Sequence, residues 1–256
     1  QISCIFCEYM KYKLARLFYP YGACRKVLRG PLRGYKFHVA PGYGLTYAFG
    51  SSALHLDALD QLVSPGMTVF DIGANRGLIS LLFSHRAGER GQVVAFEPIT
   101  ELNHDFAANM TLNQVGNVTL VQAAVSQSEG EMLMEYSPEH STQGKFQTAE
   151  PGLKVSGAHP LKVRTVALDN YVETEKVQPD FMKIDVEGAA GFVFSGARKV
   201  LSQMRPTLFV ELHGPEEQAS MDKAVQEYGY KVYDTEGTPI ESVVRGWHSP
   251  IICRPE

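Results

Sequence analysis

The stretch Val69-Phe70-Asp71-Ile72-Gly73-Ala74-Asn75-Arg76-Gly77 decides the fold, because an apolar strand runs there directly into a glycine-spaced turn and then into a helix. In an open α/β sheet, ligands bind at the carboxyl ends of the strands, where glycines let the backbone come close to them. Gly73 and Gly77 are placed to form that cradle. The two glycines stand four apart with Asp71 immediately before the turn, which is not the dinucleotide pattern Gly-x-Gly-x-x-Gly. A carboxylate at this point would repel a pyrophosphate and attract a cofactor that carries a cationic amine and a sulfonium.

Outward from this stretch, short apolar runs alternate strictly with helical segments from Met67 onward. This predicts βαβ units and a doubly wound, mostly parallel, Rossmann-like α/β sheet. Six runs read as strands: Thr68 to Ile72, Val93 to Phe96, Val118 to Val121, Asp180 to Ile184, Thr207 to Leu212 and Lys231 to Tyr233. The helices between them are Gly77 to His85, Glu101 to Leu112, Gly188 to Leu201 and Glu216 to Tyr228, each long enough for a right-handed crossover. Glu97 lies 26 residues beyond Asp71, at the end of the second strand, where a carboxylate suits both ribose hydroxyls of an adenosine. After the third strand, Gln122, Ala123 and Ala124 are placed beside the adenine.

The flanks are less regular. Residues 1–60 contain a short amphipathic pattern from Met10 to Phe18 and then repeated Pro and Gly breaks, so they read as an extension or lid to a domain at 61–256. Ser52 to Val63 reads as a helix. Residues 130–164 interrupt the alternation and read as a surface insertion near the site, with extended stretches at Met132 to Tyr136 and Leu161 to Val166.

Bulk properties limit the functional classes. Hydrophobic residues at 44% and charged residues at 20% describe an ordinary globular chain. The formal charge of −4 gives no global attraction to nucleic acid, so such a partner would need a local patch such as Arg25, Lys26, Arg29, Arg33 and Lys36. Cys4, Cys7, Cys24 and Cys253 read as reduced thiols of a cytoplasm-like compartment, and no second pair completes a zinc site for Cys4 and Cys7. No apolar run approaches the roughly 20 residues of a membrane span, and Glu8, Lys11 and Lys13 break any signal-peptide core.

The chain resembles the FkbM family of S-adenosylmethionine-dependent methyltransferases from about Met67 to Gly214. The motifs that carry the resemblance are Asp-Ile-Gly-Ala-Asn-Arg-Gly at 71–77, Phe-Glu-Pro at 96–98, Lys-Ile-Asp-Val-Glu-Gly at 183–188, Ser-Gly-Ala at 195–197, and Arg-Pro at 205–206 leading to Val-Glu-Leu-His at 210–213. The resemblance implies a seven-stranded methyltransferase fold, a cofactor held by Asp71, Gly73, Asn75 and Glu97, and a small-molecule acceptor with a hydroxyl group. Similar sequences carry an acid shortly after Val-Glu-Gly, where this chain has Ala189-Ala190-Gly191.

Methyl transfer from a sulfonium needs the nucleophile oriented and its proton removed. Strand alternation places Lys183, Asp185 and Glu187 on one side, and likewise Glu211 and His213. His213 or Asp185 can accept the proton, His213 with an unperturbed pKa near 6.5. Alternatively Asp185, Glu187 and Glu211 bind a divalent cation that acidifies the hydroxyl. Two rival functions remain open here. Lys183, Asp185 and Glu211 match part of the Lys-Asp-Lys-Glu set of ribose 2′-O-methyltransferases, against which the missing second Lys counts. A non-catalytic cofactor-binding module is the other, suggested by Ala189-Ala190-Gly191. Tyr43, Tyr47 and Phe49 are placed to cover the cofactor, and Trp247 reads as packing.

Overall fold

Central strands of a parallel sheet are buried on both faces, and the apolar runs divide their side chains accordingly. Phe70, Ile72, Val94, Phe96, Met182, Ile184, Leu208 and Val210 enter one hydrophobic core, while Val69, Val93, Ala95, Phe181 and Phe209 enter a second on the opposite face. Helices cover each face, which is the doubly wound arrangement expected from the alternation.

The computed structural model describes residues 20, 22–39, 55–136, 145–146, 159–243 and 250–256. In chain order the elements are β1 (Cys24–Lys26), β2 (Lys36–His38), α1 (Leu56–Leu62), β3 (Thr68–Ile72), α2 (Leu78–Ala87), β4 (Gln92–Phe96), α3 (Thr100–Leu112), β5 (Val118–Val121), β6 (Ala124–Val125), β7 (Gly130–Tyr136), β8 (Lys145–Phe146), β9 (His159–Val166), α4 (Leu168–Glu175), β10 (Phe181–Ile184) and α5 (Ala190–Ser195). A π-helical turn at Val200–Met204 follows, then β11 (Thr207–Val210), α6 (Pro215–Tyr228), β12 (Tyr230–Tyr233) and β13 (Ile251–Pro255). The main sheet has seven strands in the order β12-β13-β11-β10-β3-β4-β5, and β13 runs antiparallel to both its neighbours. The expected Met10 to Phe18 helix, Tyr43, Tyr47, Phe49 and Trp247 lie outside the described residues.

β13 and α4 are absent from the sequence reading. Ile251-Ile252-Cys253 is a short apolar run with no helix after it, so the alternation gives it no place. In α4 only Leu168 and Val172 are buried, too few to show a period. Conversely, the continuous helix expected from Gly188 to Leu201 is divided. Apolar spacing runs on through Ala197 and Val200, but a Cβ at Gly196 would stand 2.0 Å from the Ser126 carbonyl oxygen. Beyond this contact the Asp169 carboxylate of α4 accepts hydrogen bonds from Lys199 N (2.9 Å) and Val200 N (3.1 Å) and starts the next turn. The Ser-Gly-Ala motif is therefore a packing motif.

Arg-Pro at 205–206 is structural as well. The Arg205 guanidinium donates to the Tyr228 and Gly229 carbonyls at the end of α6 (2.7 and 3.1 Å) and lies 5.5 Å from the Tyr230 ring centroid, while Tyr230 donates its hydroxyl to the Pro206 carbonyl (3.1 Å). These contacts satisfy carbonyls that the helix itself leaves without donors.

The stretch around 130–164 forms strands at its edges. β7 and β9 pair antiparallel within a four-stranded sheet ordered β6-β9-β7-β8, and Met134, Tyr136 and Val163 pack against Ile99, Leu102 and Ala124. In the N-terminal stretch, β1 and β2 make an antiparallel hairpin whose Val27, Leu32, Phe37 and Val39 join the core under α1, α2 and α3.

Replacing Gly196 by Ala should destabilise the fold by about 1–3 kcal/mol, because the added methyl collides with backbone that no side-chain rotation can move. Urea unfolding measures this, and an unchanged midpoint would contradict the packing role.

Candidate functional site

Residues from β3, β4, β10 and β11 converge at the carboxyl edge of the sheet. Gly73 has φ +80°, and a Cβ there would stand 1.9 Å from the Asp185 carbonyl oxygen, so only glycine lets the turn after β3 lie against the end of β10. Its N–H and that of Ala74 both donate to the Phe96 carbonyl at the end of β4 (3.0 Å each). Gly77, with φ +83°, opens α2, and a Cβ there would meet Met110 and Phe106 of α3 at 2.7 and 2.8 Å.

Asn75 takes the left-handed conformation, and its N–H donates to Glu97 Oε2 (2.9 Å). Ile99 N donates to Glu97 Oε1 (3.0 Å). Glu97 is buried, and burial pushes its pKa up to about 7 against the pull of these two N–H groups and of Lys183.

Beneath the turn lies Lys183, only 2% exposed. Its Nζ donates to the Gly73 carbonyl (2.9 Å) and stands 3.3 Å from Asp71 Oδ1 and 3.4 Å from Asp185 Oδ2. Asp71 is fully buried, and its Oδ2 accepts the Ser80 hydroxyl (2.6 Å). Burial opposes the charge of Lys183, but Asp71 and Asp185 outweigh it and raise the pKa.

Two of the sequence-predicted residues thus lie deep at the strand ends. Asp71 meets Lys183 and Ser80 below the turn. Lys183 has three protein partners and almost no exposure. Ala123 is likewise fully buried in the core, so its methyl is not presented at the surface of the sheet edge; Gln122 is the exposed member of that trio.

On the other side of Asp185 stands His213, whose side chain is 23% exposed. Its Nε2 lies 2.9 Å from Asp185 Oδ1 and its Nδ1 3.5 Å from Glu187 Oε2. Burial disfavours the imidazolium, yet the Asp185 hydrogen bond and the Glu187 and Asp185 charges dominate and raise its pKa to about 9. This lies above the unperturbed value of 6.5. Asp185 moves the other way: burial would raise its pKa, and Lys183 and His213 hold it below the ordinary carboxylate range.

Strand alternation does not explain Glu187, because β10 ends at Ile184 and Glu187 adopts φ +48°; the loop, not the strand, turns it to His213. The possible cation set changes with it. Ligand atoms of Asp185, Glu187 and His213 lie within 4.8 Å of one another, and Glu211 is not in that group. Glu211 is half-buried, with its pKa raised by burial and by the Asp185 charge.

Three residues of the site have no counterpart in the sequence reading. Glu217, 2% exposed, accepts hydrogen bonds from Gly188 N and Ala190 N (3.0 Å each) through Oε1, and from His213 N (2.6 Å) through Oε2. It brings a carboxylate from α6 to the turn where Ala189-Ala190-Gly191 lacks one. In the sequence it is only one of two acids opening a helix. Ser80 sits on the buried side of α2. His55 opens α1, with its ring 6.1 Å from that of Phe209; burial lowers its pKa and the Asp185 charge opposes that shift.

A seven-stranded, mostly parallel sheet with a glycine turn after β3, a buried acid after β4 and a carboxylate–imidazole pair beyond β10 and β11 is the Rossmann-like fold of class I methyltransferases. The methyltransferase FkbM domain matches residues 71–232, more than half of the chain, and the chain belongs to that family; its cofactor is S-adenosylmethionine. The solved methyltransferase FkbM of Methylobacillus flagellatus KT is similar at 14% identity and a TM-score of 0.51, over 74% of this chain and 44% of that one. This chain thus spans less than half the length of that protein. A candidate rRNA methylase of Clostridium thermocellum is similar at 13% identity and a TM-score of 0.50, over 81% of this chain and 97% of its own. At such identities both likenesses show the fold alone. No curated protein matches the sequence. No helix among the described residues is long and apolar enough to cross a membrane.

Two stability measurements probe the site. Lys183→Met should cost about 3–5 kcal/mol by leaving Asp71 buried and unpaired, and adding Asp71→Asn should recover part of the loss; equal losses in both variants would contradict the ion pair. Glu97 holds its proton more tightly folded than unfolded, so its contribution to stability falls as pH rises from its ordinary 4.5 to about 7. Urea unfolding at pH 5 and pH 8 should therefore show wild type losing roughly 3 kcal/mol relative to Glu97→Gln as pH rises, and parallel behaviour would refute the shift.

Proposed function

We infer that the chain transfers the methyl group of S-adenosylmethionine to a hydroxyl oxygen of a small metabolite, sugar or natural product. The observation that carries this reading is the placement of His213 between Asp185 and Glu187, at the strand ends facing the Gly73 turn. In the reading, Gly73, Asn75 and Gly77 form the cofactor turn, and Asp71 acts on it through Lys183.

The donor set suits the cofactor. Glu97 keeps carboxylate lone pairs beyond its two backbone N–H bonds, and the buried Oδ1 of neighbouring Asn103 has no hydrogen-bond partner among the described residues. Acceptors in this position match a ribose diol, which offers two donors. Bound there, S-adenosylmethionine supplies an electrophilic methyl on a sulfonium, with the leaving group already activated.

The chain's own work is to hold the acceptor hydroxyl and take its proton. His213 does so through one ring nitrogen while Asp185 and Glu187 stabilise the imidazolium that forms. The same carboxylates that strengthen this base keep it protonated. With a pKa of about 9, only about 1% of His213 is neutral at pH 7. Glu217 fixes the backbone of His213 and Lys183 fixes Asp185, so both members of the pair are oriented before substrate arrives.

A cation bridging Asp185, Glu187 and His213 is the second reading, favoured by their mutual reach. It would displace the proton that now neutralises the cluster. Activity lost on chelation and restored by magnesium would select it.

Incubating the protein with S-adenosylmethionine and a panel of hydroxylated sugars and phenols, and scoring methylated products by mass, tests the reaction. With an acceptor in hand, kcat/KM should rise with pH toward about 9, and Asp185→Asn should move that limb toward the ordinary histidine range. His213→Ala should lower kcat by about 100- to 10,000-fold with S-adenosylhomocysteine affinity unchanged. Undiminished turnover in His213→Ala would remove it as the base.

A further inference from the structure

The hairpin of β1 and β2 takes no part in the site above, yet it concentrates positive charge. Residues 22–39 hold Arg25, Lys26, Arg29, Arg33 and Lys36 and no acid, in a chain whose formal charge is −4. The remainder of the chain is therefore more negative than the whole.

This element is anchored rather than loose. Buried Val27, Leu32, Phe37 and Val39 root it in the core. Two amides, Asn109 of α3 and Asn113 at its C-cap, then grip β2 along its edge: Asn109 Oδ1 accepts from His38 N (2.9 Å), Asn113 Oδ1 accepts from Lys36 N (2.8 Å), and Asn113 Nδ2 donates to the Lys36 carbonyl (2.7 Å). The loop is closed by hydrogen bonds from Val27 N to Tyr35 O (2.8 Å) and from Gly34 N to Val27 O (2.9 Å). With the apolar side chains turned inward, Lys26, Arg29, Arg33 and Lys36 are exposed.

Leu28 breaks the inward pattern. It is 47% exposed, one of two exposed large hydrophobic residues among the described ones, and it stands in the chain between exposed Lys26 and Arg29. An exposed aliphatic side chain on a basic hairpin gains from contact with hydrocarbon beneath anionic headgroups, and gains little from a phosphate backbone. Single-stranded nucleic acid is held by exposed aromatic platforms, whereas here Phe37 is buried and Tyr35 is partly buried, edge-on to His85 at 5.5 Å.

We propose that this hairpin docks the protein on an anionic membrane surface, with the cations on lipid headgroups and Leu28 at the acyl boundary. The proposal is independent of the acceptor and of the methyl-transfer reaction.

Co-sedimentation of the full chain with phosphatidylcholine vesicles, with and without phosphatidylserine, tests it. Binding should require phosphatidylserine, fade as sodium chloride is raised, and weaken at least roughly tenfold in Arg29→Glu/Arg33→Glu. Leu28→Asp should weaken binding to the same vesicles, and thermal unfolding establishes that each variant is folded. Should the charge variant not fold, Leu28→Asp and the salt series decide the question. Absence of binding, equal binding to both vesicle types, or unchanged binding in the folded variants would overturn the proposal. Tighter binding to a single-stranded RNA oligonucleotide than to vesicles would also overturn it, in favour of nucleic acid.

Discussion

A lysine with 2% exposure holds the carboxyl edge of this sheet together. Taking an ammonium group out of water costs several kcal/mol, and the cost is met only where opposite charge and hydrogen bonds surround it closely. Lys183 has Asp71 on one side, Asp185 on the other and the Gly73 carbonyl above. Because these partners belong to β3, the turn after it and the end of β10, one buried cation fixes three segments at once. Asp185 passes that order to His213, and Glu217 ties His213 to the turn after β10. The turn after β3 and the loop that carries His213 are thus parts of one polar network under the strand ends.

Within this network two carboxyl groups are driven apart in pKa. Glu97 has only backbone N–H partners and distant help from Lys183, so burial prevails and its pKa rises to about 7. Asp185 is partly exposed and in direct contact with Lys183 and His213, which outweigh burial and lower its pKa. The two carboxyl groups differ both in depth and in neighbours.

Much of the fold was legible because parallel strands must be buried on both faces and must be joined by crossover helices. Thr68–Ile72 and Val118–Val121 coincide with the apolar runs, and the turn at 73–77 lies where its glycines put it. What escaped was set by contacts between distant segments. The break at Gly196 depends on the Ser126 carbonyl, which no local pattern reveals. β13 is recognisable only by its pairing with β11 and β12. In the site, the residue types were readable but not their electrostatics. Asp71 looked like a cofactor ligand because its partner Lys183 is over a hundred positions away, and His213 looked like an ordinary histidine because the carboxylates around it come from the loop after β10 and from α6.

The account stands on the turn after β3 being a site for S-adenosylmethionine rather than for a dinucleotide, and calorimetric titration with S-adenosylhomocysteine, with NADH as control, tests this most directly. Saturable binding of S-adenosylhomocysteine and none of NADH is the result that the Gly73 turn and Glu97 predict. Binding of NADH, or of neither ligand by protein shown to be folded, would contradict it.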